Sequence, residues 1–442
     1  MKSIFTKILK SNQIITKNIE KYNVDWMNKF HGKAQTILLP SNTTDVSNIL
    51  KTCNSNKIPI HIQGGNTGLV GGAVASNAEV LMSMERLNKI KNFCDKRGVI
   101  HCQSGCILQT LDEHVNEKGW LMPLDLGAKG SCQIGGNIAT NAGGIRFYKY
   151  GSLHQNVLGM KVVLPNGDIY NDTQGFYKNN TGYHIKNLMI GAEGTLGVVT
   201  ECQLKLQKSK PSIKGMLFSL NNLEQLSKLI ELSTNTLQDF ISAFELMDKK
   251  SLILHQKHFS NLPISIGNFN VLIETQFTDD DYHQSVLDKF FENCMENELI
   301  EDGTVTNNET QLNQLWSIRE GITENLSKEP KSLYKFDISI KLNDIHTLQQ
   351  KLKDYDTYFF GHVLDENIHL NILNDGSNNQ IENIVYNLVN ELNGSISAEH
   401  GIGIMKKKYL HQYDTKNQIQ LLKDIKKTFD PNNILNPGLI TN

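Results

Sequence analysis

The chain has 442 residues, more than one apolar core usually supports, so two or three compact units are expected and a single small domain is excluded. Hydrophobic residues at 39% and charged residues at 20% are ordinary for a globular protein, and the sequence has no apolar run of about 18 residues to cross a bilayer. A formal charge of −2 leaves no large cationic surface for phosphates, which speaks against nucleic acid as a partner.

Met1 to Ile19 carries Lys2, Lys7, Lys10 and Lys17 and no acid. Phe5, Ile8, Leu9, Ile14 and Ile15 predict a short amphipathic helix of the fold; a transit peptide, which would be richer in arginine, is the weaker reading. Thr43 to Asn54 reads as a capped helix, and Pro59 to Gln63 as a strand that breaks into Gly64-Gly65-Asn66-Thr67-Gly68. Strands at Val99 to Ser104 and Met160 to Pro165, the latter ending in the turn Pro165-Asn166-Gly167-Asp168, bracket a glycine-rich stretch from Gly127 to Gly144. Near Lys208 to Lys214 the glycine density falls. Beyond it, amphipathic helices (Leu223 to Thr234, Tyr282 to Glu298, Thr310 to Leu326) alternate with strands such as Val271 to Thr275, which places a domain boundary there. No repeat of fixed period is present. The seven cysteines are odd in number, scattered and without paired CxxC elements, so neither a disulfide framework nor a four-thiolate zinc site is indicated, and a reducing compartment fits.

Gln63 to Gly72 contains five glycines in ten residues directly after a strand. Successive backbone N–H groups converge on a pyrophosphate only where no Cβ intervenes, which is what glycine supplies. The loop is neither a Rossmann GxGxxG nor a P-loop, and alone it would pass for a structural turn. Two further clusters, Pro123 to Gly144 and Gly191-Ala192-Glu193-Gly194-Thr195-Leu196-Gly197, make three in one domain and point to a long ligand.

At these residues the chain resembles the FAD-linked oxidases with a vanillyl-alcohol-oxidase type of flavin domain. The sharpest pieces are Met122-Pro-Leu-Asp-Leu-Gly-Ala-Lys-Gly-Ser131 and Ser242-Ala-Phe-Glu-Leu-Met-Asp248, and the resemblance extends from about Tyr22 to Phe429-Asp-Pro-Asn-Asn-Ile-Leu-Asn-Pro437. It implies an α+β protein with a two-subdomain, PCMH-type FAD-binding domain over residues 1–207, an α+β substrate (cap) domain over 208–390, and a segment 391–442 that packs back on the flavin. The family's flavin contacts carry over onto Gln63, Gly64, Gly65, Asn66, Thr67, Gly68, Pro123, Asp125, Ser131, Gly135, Asn137, Thr140, Glu193 and Gly197. Relatives that tether FAD use a His or Cys in such loops, whereas the first loop here has Asn66, so noncovalent FAD is expected.

Farther along, Gly361-His362-Val363-Leu364-Asp365-Glu366-Asn367-Ile368-His369 sets two histidines seven apart. On one strand they would face opposite ways, so a turn between them is required if both are to reach one ion. With a carboxylate such as Glu399 they would form a site of borderline softness, suited to zinc, with manganese or iron as alternatives. The resemblance implies His362, His369 and Glu399 as metal ligands and His400 as active-site base. Relatives usually carry Gly-Asp-Gly-Asn between the histidines. If Leu364 and Glu366 keep positive φ in their place, each costs about 1 to 2 kcal/mol, and Glu366 adds a carboxylate near the cation.

Arg319 and Thr323 share one face of a helix at i and i+4, and Lys335 lies on the strand Tyr334 to Ile340. By resemblance these three, with Asn371, contact substrate carboxylate, and a guanidinium plus an ammonium suits a dianion. The implied activity is oxidation of a D-2-hydroxy acid, D-2-hydroxyglutarate to 2-oxoglutarate in the first place. D-lactate or glycolate, or a catalytically silent flavoprotein subunit, are the alternatives. An electron acceptor is required, whether an electron-transfer flavoprotein, a quinone or an iron–sulfur subunit. A homodimer stays open. A bacterial cytoplasm is the expected compartment, with the mitochondrial matrix as alternative.

Overall fold

The computed structural model describes residues 2–258, 262–376 and 380–440. The chain divides into two compact units. The first comprises Met1–Gly144, Gly151–Ser209 and Glu399–Asn442, the second Ile145–Tyr150 and Lys210–Ala398. Helix and strand mix in both. Among the described residues no helix is long and apolar enough to cross a membrane.

The first unit holds strands β1 (Ile14–Ile15), β2 (Thr36–Leu38), β3 (Ile60–Gln63), β4 (Val80–Ser83), β5 (Ile90–Cys94), β6 (Val99–Gln103), β7 (Trp120–Leu121), β8 (Val157–Val163), β9 (Ile169–Asp172), β10 (Val198–Lys205) and β11 (Gln207–Lys208). One sheet runs β1-β2-β4-β3, with β2, β4 and β3 parallel. The helix Thr43–Asn56 crosses between β2 and β3. Asn42 caps it by accepting from the Asp45 amide, and Val46, Ile49, Leu50 and Cys53, spaced at helical period, form its buried face. A second, antiparallel sheet runs β5-β6-β10-β8-β9.

The amino-terminal segment belongs to this unit but is not one amphipathic helix. A single helical turn, Lys2–Phe5, buries Phe5, and Ile14–Ile15 is a strand paired with β2. Phe5, Leu9 and Ile14 pack with Val46, Ile49 and Leu50 of the long helix. Two adjacent β-branched residues suit the sheet edge better than a helix, so tertiary pairing overrides the apolar spacing. At the other end of the chain Leu435 bridges Ile60, and both lie in the same core.

The second unit is built on one antiparallel sheet of β12 (Ser212–Leu220), β13 (Ile241–Asp248), β14 (Phe269–Phe277), β15 (Asp302–Val305), β16 (Ser332–Ser339), β17 (Asp356–His362) and β18 (Asn367–Asn374), in the order β15-β12-β14-β13-β17-β18-β16. Leu312, Leu315, Trp316 and Ile322 of the helix Glu309–Lys328 pack with Leu217, Ala243, Met247 and Phe360 of the sheet. Residues 391–398 lie in this unit and not with the carboxy-terminal segment, because Ser395 exchanges backbone hydrogen bonds with Ser339. Residues 145–150, whose neighbours on both sides belong to the first unit, lie here as well. Arg146 binds Glu274 through Nε at 3.0 Å and Tyr150 donates to Gln276 at 2.8 Å.

Candidate active site

In the first unit a cleft opens beyond the carboxyl end of β3, the place where parallel α/β sheets receive ligands. Its walls are the glycine loops. A Cβ on Gly65 would fall 2.2 Å from the Ser131 carbonyl oxygen, so only glycine lets the first two loops close on each other. Gly64, Gly65, Asn66, Thr67, Gly68, Gly135, Asn137, Thr140, Glu193 and Gly197 line the cleft. Gln63, Pro123, Asp125 and Ser131 do not. Gln63 is buried beneath the loop, its amide donating to the Tyr22 and Ala73 carbonyls at 3.0 and 2.8 Å, Asp125 meets Lys129 at 3.1 Å, and Ser131 backs Gly65.

The cleft fits a long polar ligand. Among the described residues, the side-chain oxygens of Asn66, Ser104, Gln133 and Asn137 are buried there without a hydrogen-bond partner. Buried acceptors and donors are rarely left so, and four along one glycine-walled groove are what a dinucleotide would satisfy. Ser104, Gln133 and Asn436 of the lining were not singled out from sequence. Gln133 lies between Ser131 and Gly135, which were, Ser104 ends a strand read from the sequence, and Asn436 lies in the Asn-Pro motif near the end of the chain.

His400 also lines this cleft, its Nε2 3.7 Å from a Glu399 oxygen. The other Glu399 oxygen accepts from the Gly144 amide at 2.8 Å. The Glu193 carboxylate is spent on the amides of Ile402 and Gly403, at 2.7 and 2.9 Å.

In the second unit, strand register assembles a polar row. On β16 and β18, Lys335 pairs with Asn371 and Asp337 with His369; on β17, Phe360 pairs with His369; on β13, Glu245 pairs with His362. Directly paired residues and residues two apart share a face, so all of these side chains rise from one side of the sheet. The turn required between the histidines exists as Val363–Asp365, closed by Glu366 at φ 64°. The rings of His362 and His369 lie edge to face, 5.3 Å apart. Leu364 does not take positive φ, so of the two non-glycine substitutions only Glu366 is strained, and its side chain is exposed at the hairpin tip.

Glu245 is wholly buried and ties this row to the helix above it. One oxygen binds His362 Nδ1, the other accepts from Arg319 Nε at 2.6 Å. Burial alone would raise the Glu245 carboxyl, but the charges of His362 and Arg319 and their hydrogen bonds hold it below the usual range. The guanidinium lies 4.5 Å over the Phe360 ring. Among the described residues its two terminal amino groups have no hydrogen-bond partner. Lys335 is half-buried, and desolvation lowers its pKa. Asn371 is buried, its amide donating to the His369 carbonyl at 3.3 Å. Thr323 is exposed, one turn beyond Arg319. Asp337 accepts from the Asn367 amide at 2.9 Å. A carboxylate holding one nitrogen of a histidine, with the other turned away from it, is how proteins orient a metal-ligating imidazole, and two imidazoles beside carboxylates form a donor set of borderline softness. These residues fit a divalent cation. Sequence reasoning missed Glu245 and Asp337. The available signal was an acid set between apolar neighbours on each of two strands, Phe244-Glu245-Leu246 and Phe336-Asp337-Ile338.

A unit with a glycine-walled cleft, followed in the chain by a unit whose antiparallel sheet carries a cationic and imidazole-rich face, has the make-up of a flavoenzyme. Residues 34–173 match the FAD binding domain family and residues 211–440 match the family described as FAD linked oxidases, C-terminal domain. D-2-hydroxyglutarate dehydrogenase of Arabidopsis thaliana is 39% identical over 98% of this chain and 80% of its own length. The D-2-hydroxyglutarate–pyruvate transhydrogenase of Saccharomyces cerevisiae is 35% identical over 98% and 92%. Among solved structures, p-cresol methylhydroxylase superposes with a TM-score of 0.76 at 16% identity, covering 99% of this chain and 95% of that one, a likeness of fold. The chain belongs to the FAD-linked oxidase family and is an FAD-dependent oxidoreductase.

Proposed function

We propose that the protein oxidises D-2-hydroxyglutarate to 2-oxoglutarate. The observation that carries this reading is Arg319, buried, fixed through Nε by Glu245, and with both terminal amino groups unpaired among the described residues. A planar fork held in this way suits a carboxylate, and Lys335 on the same sheet face gives a second cation for the second carboxylate of a dianion. The relatives named for D-2-hydroxyglutarate support the choice.

In this proposal Arg319, Lys335, Thr323 and Asn371 bind and orient the substrate, and His400 accepts the proton of the C2 hydroxyl. FAD, bound without a covalent link along the glycine loops, supplies the acceptor for the C2 hydride. A divalent cation, zinc in the first place with manganese or iron as alternatives, supplies Lewis-acid polarisation of the hydroxyl. His362 and His369 from the second unit and Glu399 from the first are the proposed donors. Asp337, paired with His369 across β16 and β18, is a further carboxylate on the same sheet face, and bringing the two halves onto one ion is part of the proposal. An electron-transfer flavoprotein, a quinone or an iron–sulfur subunit would reoxidise the flavin. The mitochondrial relatives favour the matrix as compartment.

The test is turnover with an artificial dye acceptor over D- and L-2-hydroxy acids of rising chain length, with and without a chelator. The expected result is a preference for the D-dicarboxylate over D-lactate and glycolate, lost on chelation while the FAD spectrum and the melting temperature stay nearly unchanged. Equal turnover of lactate and hydroxyglutarate would remove Arg319 and Lys335 as a dianion site.

A further inference from the structure

We infer that Glu193 is a positioning residue for His400, acting through the turn Gly401–Gly403. The inference rests on the reading of His400 as proton acceptor. Glu193 is buried at 8% exposure and held in the left-handed region at φ 49°, a conformation disfavoured for any residue with a Cβ. The backbone is pinned from both sides. Its amide donates to the Ala139 carbonyl at 2.7 Å, and its carbonyl accepts from the Asn436 side chain at 2.7 Å. From this fixed base the side chain reaches the turn that follows His400, Oε1 accepting from the Ile402 amide at 2.7 Å and Oε2 from the Gly403 amide at 2.9 Å.

Only a carboxylate can take both amides. A glutamine would turn one of them against its own NH₂ group, donor facing donor. The turn is shaped for this contact: Gly401 sits at φ 81°, and a Cβ there would lie 2.8 Å from Glu193 Oε1. Beyond the turn, the amides of Ile404 and Met405 donate to the Val70 carbonyl at 2.9 and 3.2 Å. Before it, Glu399 is held by the Gly144 amide. His400 therefore lies between two anchored points, both on loops that line the flavin cleft. A misplacement of about 1 Å in a reacting group costs roughly a hundredfold in rate, so a base carried on a loop needs such a brace.

Two variants of the FAD-loaded enzyme test this, Glu193→Gln and Gly401→Ala, the second loosening the same contact from the turn's side should the first fail to fold. Amide hydrogen exchange in the peptide covering 401–405 should accelerate by about tenfold or more as local opening becomes easier. Flavin reduction by substrate, normalised to bound FAD, should slow by roughly 10- to 100-fold, with substrate affinity nearly unchanged. In a His400→Ala background neither substitution should slow reduction further, because partners in one function are not additive. Unchanged exchange, or equal slowing in both backgrounds, would overturn the inference. Wild-type reduction by His400→Ala alone would instead overturn the reading of His400 as base.

Discussion

Arg319 donates its Nε–H to the wholly buried Glu245 at 2.6 Å. The bond leaves the guanidinium oriented but not consumed. Glu245→Gln removes the countercharge and leaves Arg319 buried without it, and breaking one side of such a pair costs about 3 to 5 kcal/mol. Denaturant unfolding should register a loss of that order, and kcat/KM for the hydroxy acid should fall by about a hundredfold through His362 and Arg319 together. The double variant Glu245→Gln, Arg319→Met should be less destabilised than the sum of the two single ones. Additive losses would show the pair to be uncoupled.

Glu366 closes the hairpin between the two histidines at φ 64° with its side chain in water. Glu366→Gly should relieve about 1 kcal/mol of backbone strain, read as a rise of roughly 2 °C in melting temperature. An exposed carboxylate is well screened, so Glu366→Gln should change KM by less than about twofold. A large KM decrease confined to dicarboxylates would place this carboxylate beside the substrate.

His61 lies under the first glycine loop, its Nε2 3.1 Å from the Gly72 carbonyl. Burial pushes its pKa down to about 4 from 6.5. Because the folded value is depressed, its contribution is fully present above pH 6.5 and is lost as pH falls through about 4, since the unfolded chain takes up the proton first. The full loss is on the order of 3 kcal/mol. His61→Gln should therefore lose less melting temperature than wild type between pH 7 and 4.5. Asp248, raised to about 6 by burial, works in the opposite direction but is common to both proteins and cancels. Parallel pH profiles would contradict this account.

Noncovalent FAD should appear as a yellow supernatant after acid precipitation. Asn66 is not a nucleophile, and Cys132, which does line the cleft, is 2% exposed with its pKa raised by burial, which leaves little thiolate to form a link. A yellow pellet would identify a tether.

Much of this was legible in the sequence because it is local. The glycine loops follow a strand and read as a dinucleotide cradle, and two histidines seven apart require a turn if they are to share a face, as they do. What could not be read depends on register and on distant partners. Glu245 meets His362 across 117 residues, and Asp337 faces His369 only once β16 and β18 have paired. Ile14 and Ile15 looked helical beside Phe5, Ile8 and Leu9 because their strand partner, β2, begins 21 residues later. Pro123 and Asp125, carried over by resemblance, belong to the loop but stand outside the cleft's lining.

The most direct test of the account is anaerobic titration of the FAD-loaded protein with 2-hydroxy acids, followed at the flavin absorbance band. D-2-hydroxyglutarate should bleach the flavin stoichiometrically, its L-enantiomer should not, and D-lactate should bleach it only at much higher concentration. A flavin that stays oxidised with every D-2-hydroxy acid, in protein shown to hold FAD and metal, would contradict the account.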